Sequence, residues 1–427
     1  MKRRDFFRNT VPVLLPSLLP GISLRAWASS PFLQAASHGV GEGRVVVLIQ
    51  LNGGNDGLNT VIPLEHYDAY YKARTNIAIP QDKVLRLQGC DNTGLHPAMP
   101  ELQQLYNAGK VTIVQGVSYP QPNFSHFRAT DIWLTGADAG QILPTGWAGR
   151  YLDEQYPEFP HNYPNSDMPD PLAIQVGSLV SPALQGPALT MGMAISNPNN
   201  FYDLINDRSA PAPPTRAGDQ LGYIREMTVK TDQYAGVIRK AAQKIMRQSD
   251  CYPAAGKNPL ADQLKIVARL IAGGLKTRFY LVSMGGFDTH AKQTDATDTT
   301  TGSHAKLLTR LSEAINAFQD DLNGLQIEDR VIGMTFSEFG RRIQSNASGG
   351  TDHGAAAPVF IFGGKVQAGI IGNNPTWPDQ LTVNDNLAMQ YDFRGIYSTL
   401  LEKWFLSGSA TAESVLFKPY APVPFIV

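Results

Sequence analysis

Long apolar runs are missing from this 427-residue chain, and so is any surplus of charge. The longest early stretch, Val11–Leu19, is broken by proline and falls short of the roughly 20 residues a membrane-spanning helix needs. No later segment reaches that length. Thirty-six Lys and Arg against 37 Asp and Glu give a net charge of -1, so no electrostatic argument favours nucleic acid or an anionic membrane as partner. Two cysteines, Cys90 and Cys251, form no redox motif; one bridge and two buried free thiols both stay open. Low-complexity tracts and internal repeats are absent too. What is present is an ordinary globular composition, 43% hydrophobic and 17% charged, with 39 glycines and 30 prolines that point to long ordered loops.

The first residues form a processing signal rather than a fold element. Arg3-Arg4 precede Asp5-Phe6-Phe7, a modest apolar run follows, and Ala26-Trp27-Ala28 supplies a small-x-small cleavage site. The paired arginines before Phe resemble a twin-arginine export signal over residues 1–28. That resemblance implies the twin-arginine machinery as a partner, a periplasmic or secreted location, and an oxidising compartment in which Cys90 and Cys251 could pair. The pathway carries folded proteins, often with a metal or cofactor already inserted.

Residues 29–427 are compatible with one large α/β domain. "RVVVLIQL", "KVTIVQGV", "LAIQVG", "RFYLVS", "VIGMTF" and "APVFIF" read as strands buried on both faces. Helical patterns alternate with them: after "LHPAM", after Ser125, over "NPLADQLKIVARLIAGGL", after Ser303 as a cap, and over "DFRGIYSTLLEKWF". The alternation predicts a mainly parallel central sheet with helices on both faces. Between about 197 and 257, Leu221, Ile224, Met227, Tyr234, Ile238, Ala241 and Ile245 recur at helical steps, predicting a helical cap or insertion.

Polar residues gather where these strands end. Asn52 and Asp56 follow the first strand, and Ser125-His126 opens a helix after another. Asp288 and His290 follow "RFYLVSMGG", Glu338 follows "VIGMTF", and Asp352-His353 sits between glycines before "APVF". In a parallel sheet such loops share one edge, where ligands bind. Carboxylates and imidazoles converging there suit a divalent metal, Zn or Mn rather than Mg or Ca. Each residue also has a plain structural reading. Ser125 can be an N-cap, and Glu338 can pair with Arg341 or Arg342.

The ordered motifs carry a resemblance. The twin-arginine start with "LNGGNDGLNTVIP", "SHFRATDIW", "GGFDTH" and "TFSEFGR…GGTDHG" resembles an exported bacterial family, domain-of-unknown-function family 1501. More distantly it is similar to the alkaline phosphatase–sulfatase superfamily, which implies an alkaline phosphatase-like fold. That resemblance implies Ser125 as nucleophile, with Asp288, His290 and His353 as ligands of a first metal and Asp352 as neighbour or substitute ligand. It implies a second metal near Asn52, Asp56 and Glu338. Asn52 stands where the superfamily has a bridging aspartate, and Phe339 stands where it has a ligand, so one or two ions remain open. His126 could compensate.

The implied function is metal-dependent hydrolysis of phosphate or sulfate esters, on a small molecule or a glycan. The ion would lower the pKa of Ser125, and Arg128, one turn on, could stabilise charge on the transferred group. The alternative is a superfamily member that has lost catalysis and binds glycan or protein in the envelope. A Ser-His-Asp esterase is excluded because no G-x-S-x-G surrounds Ser125.

Overall fold

The computed structural model describes residues 43–196, 233–378 and 380–427. The signal expected at 1–28 lies outside the described residues, as does 197–232 of the expected insertion.

Val45–Leu51 forms β1, the central strand. Its residues alternate between two cores, as the two-residue repeat of a strand requires. Val45, Val47, Ile49 and Leu51 enter one core, and Val46 and Leu48 the other. Both faces are dry, which is why the sequence here is an unbroken apolar run rather than an alternating one. The same holds for β5 (Val111–Ser118), β8 (Phe279–Met284), β9 (Val331–Phe336) and β10 (Ala357–Gly363). Shorter strands extend the sheet: β6 (Ala173–Val176), β7 (Met193–Ile195), β11 (Gly369–Ile371) and β12 (Tyr391–Asp392). The order across the nine strands is β11-β5-β10-β9-β1-β8-β6-β7, with β12 also on β5.

Every pairing in this sheet is parallel except the two made by β10. That exception positions the site. Because β10 runs antiparallel to β9 and β5, its first residues lie at the edge where the other strands finish. The glycine-flanked Asp352-His353 step therefore joins the loops after β1, β8 and β9.

Helices cover both faces, as expected. Helices Pro100–Asn107, Pro259–Ala272 and Ser303–Gly324 bury their apolar stripes on one side. A helix over 233–244 packs into the same layer through Ala235, Ile238, Ala241 and Ala242, so this part of the expected insertion covers the sheet directly. Helices His126–Thr135, Trp147–Gln155, Phe393–Thr399 and Gly408–Leu416 cover the other face.

Three local expectations are revised. Ser303 is the first helical residue rather than the cap, and its hydroxyl donates to the carbonyls of Lys292 and Gln293. Cys90 and Cys251 are both free, the second exposed, so neither the bridge nor the buried-thiol pair is realised. A separate three-stranded antiparallel sheet, in the order β2 (Val61–Pro63), β4 (Cys90–Leu95), β3 (Leu85–Leu87) and unforeseen in the sequence, lies in the chain between β1 and β5. No helix among the described residues is long and apolar enough to cross a membrane.

Candidate metal and catalytic centre

The loop after β1 is laid down by two glycines. Gly53 and Gly54 have φ of 123° and 81°, a region that side chains disfavour. A Cβ on Gly53 would stand 2.2 Å from the Asp288 backbone nitrogen, so only glycine lets the β1 and β8 loops touch. In that position the Gly53 N–H donates to Glu338 Oε1 at 2.8 Å. The β9 loop and the segment before β10 are stitched together by Gly340 and Gly354, whose N–H groups bond to Ala355 O and Gly340 O.

Three imidazoles then face one carboxylate. His353 Nδ1 lies 2.8 Å from the Phe124 carbonyl, which can only accept, so Nδ1 carries the proton and Nε2 a lone pair. His290 Nδ1 lies 3.0 Å from Asp352 Oδ1, and His126 Nδ1 lies 2.8 Å from Glu338 Oε1. The same argument puts the proton of each neutral ring on Nδ1 and its lone pair on Nε2. The three Nε2 atoms converge on Asp288. His290 Nε2 and His353 Nε2 stand 3.1 and 3.2 Å from Asp288 Oδ1 and 2.9 Å from each other, and His126 Nε2 stands 3.6 Å from Oδ2.

Acceptors so close repel unless a proton or a cation lies among them. Burial pushes the His353 ring below the usual histidine range, so a second proton there is resisted. A metal satisfies the arrangement. Bonds of about 2.0–2.1 Å to Zn in a tetrahedral site place ligand atoms about 3.3 Å apart, near the 2.9–3.2 Å found among His290, His353 and Asp288. His126, Asp288 and His353 form an overlapping triad whose donor atoms lie within 4.8 Å of one another. Each imidazole also has its Nδ1 fixed by a carbonyl or carboxylate, the usual second partner of a metal-bound histidine.

Arg341 supplies the fixed positive charge. It is buried and spends its donors on the carbonyls of Gly53, Gly54, Phe287 and Thr351 and on Asp288 Oδ1 at 2.7 Å. Burial alone would raise the Asp288 carboxyl, but Arg341 and His353 outweigh it and hold it down at about 2. Asp352 is also lowered, with bonds to His290 and Asn346 outweighing burial.

An open cleft of about 380 Å³ fronts this cluster, lined by Asn52, Gly53, His126, Phe127, Thr130, Asp288 and Glu338. A larger hollow of about 670 Å³ lies at the opposite sheet edge around Lys276, Arg278 and Arg330, with no histidine in its wall. The clustered imidazoles and carboxylates are at the smaller cleft.

The structure thus brings together His126, Asp288, His290, Asp352, His353, Glu338 and Asn52. It does not bring Asp56 or Arg128. Asp56 is sealed in an ion pair with Arg74 at 2.8 Å, both fully buried, and also accepts from Gln293, so it has no free face for a metal. Arg128 turns to Asp131 and to the carbonyls of Asp138, Ala139 and Gln141. Glu338 does not pair with either arginine as the plain reading had it; Arg341 goes to Asp288, and Arg342 to the carbonyls of His353 and Val383. Ser125 precedes the helix, but its side chain caps nothing. Its neighbours on both sides, Phe124 through its carbonyl and His126 through its ring, touch the cluster. Arg341 as the partner of Asp288 and Phe127 on the cleft rim were not foreseen.

A family model described as "Protein of unknown function (DUF1501)" matches residues 219–403. The matched span includes "GGFDTH", "TFSEFGR" and "GGTDHG"; "LNGGNDGLNTVIP" and "SHFRATDIW" fall before it. No curated protein matches in sequence. Among solved structures the chain aligns with the PsFucS1 sulfatase from Pseudoalteromonas sp. at 11% identity and TM-score 0.38, covering 88% of this chain and 71% of the other. It aligns with the phosphonate monoester hydrolase SpPMH from Silicibacter pomeroyi at 12% and 0.34, covering 85% and 73%. For the alkaline phosphatase from the Antarctic bacterium TAB5 the values are 9% and 0.28, covering 75% and 92%. The structures it aligns with are thus sulfatases and alkaline phosphatase-like enzymes at low identity.

Proposed function

We propose that the cleft is the active site of an exported hydrolase that cleaves phosphate or sulfate esters with one divalent metal and a serine nucleophile. The observation that carries this reading is the convergence of three histidine Nε2 atoms on the Asp288 carboxylate. When bound there, an ion of the Zn or Mn type supplies Lewis acidity to an ester oxygen. Arg341 and Phe339 favour one ion over two. The guanidinium already holds the inner side of Asp288, and the Phe339 ring packs 4.4 Å from His353 and 5.0 Å from His126.

The protein's own residues divide the remaining work. Asp352, Glu338 and the Phe124 carbonyl keep the three rings in the tautomer that presents Nε2. First-turn N–H groups of the helix His126–Thr135 are not capped by Ser125 and offer donors to an anionic group. Ser125 is the nucleophile in this proposal. Its Oγ bonds to phosphorus or sulfur as the bond to the leaving oxygen breaks, and the alcohol departs with the proton that Ser125 gives up. Water then hydrolyses the seryl ester, restoring the hydroxyl and releasing the acid.

The test combines metal analysis with turnover. Protein matured through export should hold one divalent ion and lose it on His353→Ala. It should hydrolyse members of a panel of chromogenic monoesters, diesters and sulfates, and Ser125→Ala should abolish that turnover without releasing metal. Metal held without turnover of any ester would move the reading to an envelope glycan- or protein-binding module, which the diversion of Arg128 from the cleft favours. A protein that holds no divalent ion would end the metal assignment.

A further inference from the structure

We infer that the larger hollow, at the edge where β1, β8 and β9 begin, is a second binding site, for a saccharide unit that bears a carboxylate. This site is apart from the metal cleft and does not depend on the hydrolase reading.

The sheet itself assembles the wall. β9, β1 and β8 are neighbours and run parallel, so the residues that precede them lie side by side. Arg330 precedes β9, Gly43 precedes β1, and Lys276 and Arg278 precede β8. Arg278 already bonds as a strand residue, its N–H to Leu172 O and its carbonyl to the Val46 N–H. Side chains alternate there: Thr277 is fully buried with its hydroxyl on the Pro171 carbonyl, so Lys276 and Arg278 both turn outward. Gly43, with φ of 86°, makes room for Arg330. A Cβ on Gly43 would stand 3.1 Å from Arg330 Nε, and the Gly43 carbonyl accepts from that nitrogen at 3.0 Å. The three cations thus share a hollow of about 670 Å³, inside the range of about 300–1,000 Å³ usual for small-molecule sites.

These cations keep donors unspent. Arg330 uses Nε on Gly43, and among the described residues its two terminal nitrogens meet no acceptor. Lys276 spends one of its three N–H bonds on the Asp167 carbonyl at 2.8 Å. Arg278 Nε is held by the Tyr156 hydroxyl at 3.1 Å. The acids nearby do not consume these donors. Asp167 is the one carboxylate in the wall, and the buried Asp170 accepts from the Lys276 backbone N–H. Glu154 is taken by Thr411, Glu158 by Asn162, Glu328 by Lys110 and Asp329 by Lys365. The helix Trp147–Gln155 ends at the hollow and adds only a partial negative charge. The open fork of a guanidinium matches a carboxylate in shape and charge.

The rest of the wall suits a sugar. Tyr156 and Tyr163 line it with their rings nearly perpendicular and their centroids 6.1 Å apart. Ring surface of this kind packs against the apolar face of a sugar. Gln155 and the Tyr163 hydroxyl are neutral partners for its hydroxyl groups.

Three probes are titrated calorimetrically into the purified protein. Trigalacturonate has sugar rings and three carboxylates, maltotriose has rings alone, and tricarballylate has three carboxylates and no ring. Trigalacturonate should bind at least about tenfold more tightly than either of the others. Lys276→Gln, at an exposed residue, and Arg330→Gln should each weaken it about tenfold, and Tyr163→Leu should remove its advantage over tricarballylate. His353→Ala should bind it as the wild type does, which separates the hollow from chelation at the metal cleft. Hydrogen exchange should slow on binding at 155–168 and 276–278, and not at 288–290 or 352–354. Should Arg330→Gln fail to fold, Lys276→Gln and the exchange map decide. No binding of trigalacturonate, equal binding of maltotriose or tricarballylate, affinity that survives the cation variants, or protection confined to the metal cleft would overturn the inference.

Discussion

Replacing Asp56 by alanine tests whether this carboxylate belongs to the metal centre or to the fold. In the structure it belongs to the fold. Asp56 accepts from Arg74 Nη1 at 2.9 and 2.8 Å through its two oxygens and from Gln293 Nε2 at 2.6 Å. Arg74 is itself fully buried and reaches Asn59 Oδ1 and the carbonyls of Ile343 and Arg342. Burial opposes the charged form of Asp56, but Arg74, His304 and Gln293 outweigh it and keep the carboxyl below its usual range. Truncation would leave the guanidinium in the interior with no counter-charge, a change that typically costs about 3–5 kcal/mol. Asp56→Asn keeps the shape and an acceptor but loses the charge, so its cost should be smaller. The assay is urea unfolding followed by the fluorescence of the buried Trp133, Trp147 and Trp404, with metal content measured on the same samples under native conditions. Both variants should lose stability and keep their metal. Loss of the metal with unfolding unchanged would show that Asp56 is a ligand and that the ion pair is not what holds it.

Two further outcomes follow from particular residues. His96 and His304 are buried, and burial above all holds them down at about 3 and about 4, so between roughly pH 6 and pH 4.5 the unfolded chain takes up two protons that the folded one refuses. Stability should therefore fall by about 3 kcal/mol per pH unit as the pH drops through that window, and a His96→Gln, His304→Gln double variant should show a flatter acid limb; an unchanged slope refutes the assignment. Exchange of Arg3 and Arg4 for lysine should leave uncleaved precursor in the cytoplasm, and normal processing of that variant would rule out twin-arginine export.

How much of this centre could be read from the sequence depends on what each residue's neighbours do. Strands β1, β5, β8, β9 and β10 were legible because burial on both faces forces unbroken apolar runs. Their shared edge was legible because glycine-rich polar loops interrupt those runs abruptly. The antiparallel direction of β10 was not, since a run such as "APVFIFG" has the same composition in either direction. Asp56 could not be sorted from Asp288 because the partner that decides its role, Arg74, belongs to a short helix end far from either motif. Phe127 did leave a trace: it falls off the helical phase of Ala129, Ile132 and Trp133.

Glu338 shows the remaining gap, because the sequence can place it at the site without saying on which side of His126 it lies. It is 3% exposed and holds His126 Nδ1 and the Gly53 N–H through the same oxygen, so it acts behind the histidine rather than on the metal. Glu338→Ala is then informative. It removes the acceptor of both the Gly53 N–H and His126 Nδ1, so nothing holds the His126 ring with Nε2 directed at Asp288. Glu338→Gln is the control: its amide oxygen can take the place of Oε1 and accept from both, while its NH2 group takes the place of Oε2 beside the Ser337 hydroxyl. Metal affinity should fall by about 10–100-fold in the Ala variant, the usual effect of losing a histidine's second partner, and far less in the Gln variant. The nitrogen chemical shifts of His126 should show the proton held at Nδ1 in the Gln variant and shared between Nδ1 and Nε2 in the Ala variant. If affinity holds while the metal-free protein loses stability, Glu338 is a structural contact of the β1 loop and His126 does not depend on it.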